Sequence, residues 1–583
     1  MILDRINGPK DLKTLSSSER KELAQEIRQA MLKRASIHGG HFGPDFGIVE
    51  ATIALHTVFD SPKDKIVWDV SHQVYPHKIL TGRKQAYLEE EHYDDVSGYS
   101  NPAESEHDFF EVGHTSTSIS LASGLAMARD LQGGHENIIA VIGDGSMSGG
   151  EALEGLDTVG EMGTNMIIVL NDNQMSIAEV HGGMYKGFEE LRRTGGKSEH
   201  NLFRAMGLDY RFVADGNDSE ALIKVFREVK DIDHPVVVHI VTQKGKGYKF
   251  AEEDKESWHW HMPFDIETGE VKHPYVDEAA ELTATYLLDR MKTDKKLAVL
   301  TAATPASFGF TSERRKQAGK QFIDVGIAEE QAVAMASGLA KGGARPVFGD
   351  YATFFQRTYD QISQDVCINN NPAVFLVFGA SMYSMNDVTH LCIFDIPMMA
   401  NIPNLVYLAP VSLAEYKAML AWALDQTDHP VAIRVPVLPV SSEGRVIRTD
   451  YSQLNTYEVT RRGEEVAILG LGNFYGLAEQ TAAELEKKGI HATIINPTYI
   501  TGLDTDLLES LKKDHRLVVT MEDGVLDGGF GEKIARFYGN SDMKTCAFGL
   551  EKKFYDRYDY EKLAEEYNLK PELAAKKILD LIK

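Results

Sequence analysis

The sequence predicts three α/β domains built on parallel sheets. Short, wholly apolar runs rich in β-branched residues recur along the chain with helical periodicity between them, the pattern of strands buried on both faces. The clearest two, Ile138-Ile139-Ala140-Val141-Ile142 and Met166-Ile167-Ile168-Val169-Leu170, run into Gly143-Asp144-Gly145 and Asn171-Asp172-Asn173. Polar motifs at strand carboxyl ends mark the edge where open α/β sheets bind ligands. A length of 583 residues is three or four times a typical domain.

The elements follow in order. Ser16 and Glu19 form a capping box, and Leu23, Ile27 and Met31 continue it as one apolar helix face. Between the two polar motifs, Ala152, Leu153, Leu156 and Val159 have helical spacing, so residues 138–173 read as one βαβ unit. Pro235–Ile240 reads as a further buried strand. Residues 250–285, charged and aromatic, read as a loop and interdomain connection. A second α/β pattern starts at Lys296–Leu300 and continues through Ala373–Phe378 and Leu405–Leu408. A third starts at Glu465–Leu469 and continues through Thr493–Ile495 and Leu517–Val519. The expected domains are 1–285, 286–448 and 449–583.

Composition narrows the function classes. Lys+Arg number 61 against 87 Asp+Glu, a formal charge of −26. So acidic a chain lacks the cationic footprint of a nucleic-acid binder. Cys367, Cys392 and Cys546 form no CxxC pair and read as reduced, buried structural residues. The first residues carry no signal-peptide pattern and no apolar run reaches membrane-spanning length. The expectation is a cytoplasmic enzyme with no membrane or nucleic-acid partner.

Asp144 and Asn173 lie one crossover apart. A carboxylate, an amide oxygen and a nearby backbone carbonyl are hard donors that suit Mg²⁺ bridging to phosphate. Gly143 and Gly145 would let the backbone approach a diphosphate. A lone Gly-Asp-Gly is often only a turn; a second polar motif after a second apolar strand weakens that reading.

With its distant Asn, this motif resembles the thiamine-diphosphate signature of the transketolase superfamily, and within it the 1-deoxy-D-xylulose-5-phosphate synthases. The resemblance includes Gly40–Pro44, Trp68–Gln73 running on through Tyr75–Gly82, Gly113–Ser118, Ile327–Glu330, Tyr351–Arg357 and Thr389-His390. It implies two thiamine-diphosphate-binding parallel-sheet domains, a C-terminal transketolase-type α/β domain, and a homodimer acting on small molecules. By that resemblance Asp144, Asn173 and the carbonyl of Met175 would ligate Mg²⁺. His72, Gly113, His114, Gly143, Gly145, Ser146 and Lys244 would hold the cofactor, and Phe354 would stack on its pyrimidine. Glu329 would hydrogen-bond the aminopyrimidine and promote loss of the thiazolium proton. His41 and His390 would act at the reacting carbon, and Tyr351, Arg357 and His259 on substrate. Either His259 or His261 can match the family histidine, and His259 is preferred; His77 reads equally well as structural. Glu329 could alternatively be a solvated carboxylate at a helix start.

The acceptor end departs from the family pattern. Gly379 stands where the family has an arginine, Asn386 where it has an aspartate (Asp387 is adjacent), and Val437 where it has a second arginine. Arginine grips phosphate by paired, charge-assisted hydrogen bonds that Gly379 and Val437 cannot make. The segment between Asn173 and Leu208 is also shorter than the pattern. Three functions are therefore compared: condensation of pyruvate with glyceraldehyde 3-phosphate, a transketolase-like reaction with another donor or acceptor, and a non-catalytic cofactor-binding subunit.

Overall fold

The computed structural model describes residues 1–583, which form two compact units. The first comprises Met1–Tyr275 with Gly326–Ala328, and the second Val276–Val325 with Glu329–Lys583. No helix is long and apolar enough to cross a membrane.

In the first unit the strands are β1 (Gly40–His41), β2 (Lys65–Trp68), β3 (Ile138–Gly143), β4 (Met166–Asp172), β5 (Asp209–Val213), β6 (Pro235–Val241) and β7 (Trp260–His261). The parallel sheet has the order β2-β3-β4-β6-β5. The apolar runs of β3, β4 and β6 are buried because helices cover both faces, among them Ser118–Leu131, Gly150–Met162 and Ser219–Val229. Burying each large aliphatic side chain stabilises by about 1.5–3 kcal/mol relative to exposure. The N-terminal helix, Ser17–His38, starts at the expected capping box: Ser16 Oγ accepts from Glu19 N and the Glu19 carboxylate from Ser16 N. Leu23, Ile27 and Met31 are buried.

The second unit carries two sheets. One contains β8 (Leu297–Thr301), β9 (Phe322–Asp324), β10 (Arg345–Tyr351), β11 (Val374–Phe378), β12 (Val406–Leu408) and β13 (Val431–Arg434), in the parallel order β12-β13-β11-β10-β8-β9. The other contains β14 (Glu458–Arg461), β15 (Glu465–Gly470), β16 (Thr493–Asn496), β17 (His515–Val525) and β18 (Lys544–Leu550), ordered β14-β16-β15-β17-β18 with only β14 antiparallel.

Three local expectations need correction. Residues 250–285 are not all loop: Lys249–Glu253 is helical, Trp260–His261 is a strand, and the helix Glu278–Thr293 begins inside the span. That helix is capped by Asp277, whose carboxylate accepts from Ala280 N. Leu153 is exposed, because the inner face of its helix is carried by Ala152, Leu156 and Val159. Cys546 is half-buried, whereas Cys367 and Cys392 are buried and their thiols are pushed up to about 12 by desolvation.

Candidate active site

In the first unit, β3 and β4 are neighbours, with Gly143 opposite Asn171. That register sets the two polar motifs side by side: Asp144 N donates to Asn171 O (3.1 Å), and Asn173 N reaches Asp144 Oδ1 (3.4 Å). Gly145 suits the close packing here, since a Cβ there would stand 3.0 Å from Ser176 Cα, tighter than ordinary contact. The Asn173 amide oxygen accepts from Met175 N (3.1 Å). Asp144 is buried and its Oδ2 has no hydrogen-bond partner. Burial, and then the neighbouring Asp172 carboxylate, push the Asp144 carboxyl well above its usual range. An oxygen-rich turn with an unsatisfied buried carboxylate oxygen fits a divalent cation, whose charge would reverse that shift.

Lys244 points to the same turn region. Its ammonium is buried and donates to the carbonyls of Ser176 (2.7 Å) and Ile177 (3.3 Å). Desolvation lowers it to about 7, against the opposing pull of Asp144. A buried amine of this kind gains its charge when an anion arrives.

Three histidines gather beside it. The ring centroids of His41 and His72 are 5.0 Å apart, His72 and His259 5.1 Å, and His41 and His259 5.7 Å. Backbone pairing of two distant segments brings them there: β1 pairs with β7, Phe42 N donates to His259 O, and Gly43 N to Trp258 O. Gly43 permits this approach, because a Cβ would lie 2.9 Å from Trp258 O. Desolvation, and secondarily the nearby cationic groups, hold His41 and His259 well below the ordinary histidine range, so both are neutral bases. His261 instead stacks on Trp258 at 3.8 Å. His77 bridges His56 and Asp108 in a fully buried network (2.9 Å each), a structural placement.

The approach to His72 is strained. Val70 (φ 57°) and Ser71 (φ 60°) both occupy the left-handed region, as does Ser116 (φ 73°). For a β-branched residue this is a genuine outlier, costing about 1–3 kcal/mol per position. Asp69, which had no assigned role in the sequence reading, offsets it. Its carboxylate accepts from Ser116 N (2.8 Å) and Ser118 N (3.0 Å), and Ser116 Oγ donates to Ser146 O (2.8 Å). Asp69 thereby ties the His72 turn, the Gly113-His114 loop and the Gly145-Ser146 turn together. Asp69→Ala strands two buried N–H groups. We expect a loss of about 2–4 kcal/mol, read as a lower urea midpoint at unchanged m-value.

The second unit places Glu329 at the start of the helix Glu329–Lys341. It is not solvated. It is buried, its Oε2 lacks a hydrogen-bond partner, and burial pushes its carboxyl up to about 7 despite Arg357 at 3.8 Å. Asp350, at the end of β10, is a second buried carboxylate in its field and had no signal in the sequence; it accepts from Thr304 Oγ1 (2.9 Å). Phe354 lies between Tyr351 (6.2 Å) and His390 (5.7 Å). His390 is oriented by Thr389 Oγ1 (2.8 Å), which in turn donates to Asp387.

The acceptor-end departures lie on this unit as well. Gly379 follows β11 with φ 64°, and a Cβ there would stand 2.9 Å from Ser384 Oγ. Asn473, a further residue the sequence reading missed, binds the segment together. Its Oδ1 accepts from Val437 N (2.9 Å) and Leu438 N (3.1 Å), and its Nδ2 donates to Ala380 O (3.0 Å) and Asp523 Oδ2 (2.9 Å). Asn386 is turned to the Tyr558 carbonyl (2.9 Å). Nearby cations are already committed: Arg434 to Asp395 and the Asp523 carbonyl, Arg557 to Asp556.

Comparison with known proteins agrees along the whole chain. The family model described as 1-deoxy-D-xylulose-5-phosphate synthase matches residues 3–198 and 194–242, two segments that meet at 194–198. Models of the transketolase pyrimidine-binding and C-terminal domains match 279–440 and 455–572. A 1-deoxy-D-xylulose-5-phosphate synthase of Clostridium beijerinckii is 36% identical over an alignment of 622 residues, covering 100% of this chain and 99% of the relative. Its counterpart in Clostridium acetobutylicum is 37% identical, covering 99% of each chain, and that of Halalkalibacterium halodurans is 35% identical, covering 100% and 99%.

Proposed function

Because the chain belongs to the 1-deoxy-D-xylulose-5-phosphate synthase family, we propose that it is a transferase that moves a two-carbon unit from pyruvate, releasing carbon dioxide, onto an aldehyde. Enzymes of this family use thiamine diphosphate with a divalent metal ion. The bound cofactor supplies the nucleophilic carbon and the electron sink for decarboxylation.

The observation that carries the reading is the side-by-side Asp144 and Asn173 turns with one unsatisfied buried carboxylate oxygen. Asp144, Asn173 and the Met175 carbonyl would hold the metal. Lys244, the backbone at Gly143, Gly145 and Gly113, and Ser146, His72 and His114 would take the diphosphate. In the second unit Phe354 offers an aromatic face. Glu329, with a carboxyl near 7, can hold or release a proton at an aminopyrimidine nitrogen at neutral pH. Neutral His41 can accept a proton, and His259, His390, Tyr351 and Arg357 offer polar groups that orient substrate. The division at residues 285 and 448, a homodimer and a cytoplasmic location belong to the same proposal.

The test is carbon dioxide release from labelled pyruvate with thiamine diphosphate, Mg²⁺ and a panel of aldehydes. Release that rises with an aldehyde supports the reading. Cofactor binding without release, and without ketol transfer from any sugar donor, would establish a non-catalytic subunit instead. A second reading concerns the acceptor alone. Gly379, Asn386 and Val437 offer no cation, and neighbouring Arg434 is locked in a buried ion pair with Asp395, which favours an acceptor without phosphate at this end.

A further inference from the structure

The segment after the Asn173 turn folds into the ten-residue helix Met184–Arg193. Its own sequence is not enough to make it stable. It is below the length at which isolated helices persist, and Gly187 in its middle costs about 1 kcal/mol relative to alanine. Tertiary contacts hold it. Phe188 and Leu191 are buried, with Phe188 against Phe203 (5.9 Å) and His239 (5.7 Å). Gly195 and Gly196, both at positive φ, close its carboxyl end, and Gly196 N donates to Leu191 O (2.8 Å).

Two polar side chains leave this helix seven residues apart, hence on one face. Tyr185 OH donates to the carbonyls of Asp144 (3.0 Å) and Gly145 (3.3 Å). Arg192 Nη1 donates to Asp172 Oδ2 (2.5 Å). The same carboxylate is held from the other side by His239 Nε2 (2.9 Å), whose Nδ1 pairs with Tyr210 OH (2.8 Å). Asp172 Oδ1 also accepts from Gln174 N (3.2 Å), stabilising the left-handed Gln174 (φ 65°) that turns the chain after Asn173. One short helix therefore grips the turn bearing Asp144 at its start and the turn bearing Asn173 at its end. Arg192 also offsets the charge of Asp172, the carboxylate next to Asn173.

We propose that the helix Met184–Arg193 is a built-in clamp for the metal site, with Tyr185 and Arg192 as positioning residues that pre-set the spacing of Asp144 and Asn173. The proposal rests on the metal role of those two residues. Groups that orient ligand-bearing elements change metal affinity by about 10–100-fold when removed.

The test is Mn²⁺ binding to the full-length protein with saturating thiamine diphosphate, read from the free-ion electron paramagnetic resonance signal. Arg192→Met is expected to weaken Mn²⁺ binding tenfold or more and Tyr185→Phe severalfold, while Arg192→Lys restores most of the affinity. The metal concentration for half-maximal turnover should rise more than kcat falls. Wild-type Mn²⁺ affinity in both Arg192→Met and Tyr185→Phe overturns the clamp. If Arg192→Met does not fold, Tyr185→Phe, which removes one hydroxyl, decides alone. A wild-type protein that takes up no Mn²⁺ overturns the metal role of Asp144 itself, and the clamp with it.

Discussion

Glu329→Gln is expected to lower turnover by about 10²–10⁴, the range that positioned proton transfer contributes, without unfolding the protein. The substitution keeps volume and hydrogen-bonding reach and removes only the titrating oxygen. The surroundings of that oxygen motivate the expectation. Glu329 is buried, its Oε2 is unsatisfied, and Arg357 at 3.8 Å stabilises its charge without fully offsetting desolvation, so the carboxyl sits near 7 rather than 4.5. The sign for stability follows from linkage. A carboxyl with a raised native pKa binds more protons folded than unfolded between about 4.5 and 7, so its contribution to stability falls as pH rises through that window. Above pH 7 the native state bears the cost of a buried charge that glutamine does not have. Cofactor-free Glu329→Gln should therefore melt at or above the wild-type temperature at pH 8, with the gap closing toward pH 5. Near wild-type turnover in Glu329→Gln would remove Glu329 from the chemistry. A large fall in melting temperature at pH 8 would show that its carboxylate is structural.

The contrast between Glu329 and Asp350 shows what was legible beforehand. Strands β3, β4, β6, β11, β15 and β17 were readable because each contains a short apolar run (in β17 only Leu517–Val519), the mark of parallel strands buried on both faces. The Asp144 and Asn173 turns were readable because their chemistry is local: each is a polar motif at a strand end. Asp350 was not, since its meaning depends on Thr304 and Glu329, brought near by sheet order rather than by spacing. The same holds for Asp69, whose partners Ser116 and Ser118 are 47 and 49 residues away, and for Asn473, which joins Ala380 to Val437. Arg192 lay in a segment whose helix depends on tertiary contacts, among them burial of Phe188 and Leu191. Between His259 and His261 the sequence supported a preference; β1–β7 pairing sets His259 with His41 and leaves His261 stacked on Trp258.

The acceptor end yields the other large effect. Wild-type enzyme should use an unphosphorylated aldehyde with a higher kcat/KM than glyceraldehyde 3-phosphate, and Val437→Arg should shift that ratio toward the phosphorylated acceptor by about tenfold or more. A hydrogen bond to a charged group contributes about 1.5–3 kcal/mol, and each 1.4 kcal/mol is tenfold. Val437 is the position to change. Its backbone is pinned by Asn473 Oδ1 at 2.9 Å while its side chain is only half-buried, so a longer side chain can extend without disturbing the loop. Gly379 is the wrong one. At φ 64°, with Ser384 Oγ 2.9 Å from the position of a Cβ, an arginine there would strain the backbone and displace the Ser384 side chain. Arg434 cannot substitute. Arg434 is held by Asp395 and the Asp523 carbonyl, and withdrawing it would leave buried carboxylates unpaired at a cost of several kcal/mol. Val437→Met, similar in reach but uncharged, should leave the ratio unchanged and separates charge from bulk. A wild-type preference for glyceraldehyde 3-phosphate would show that phosphate is gripped elsewhere on the protein. The acceptor would then be the ordinary one for the family despite Gly379 and Val437.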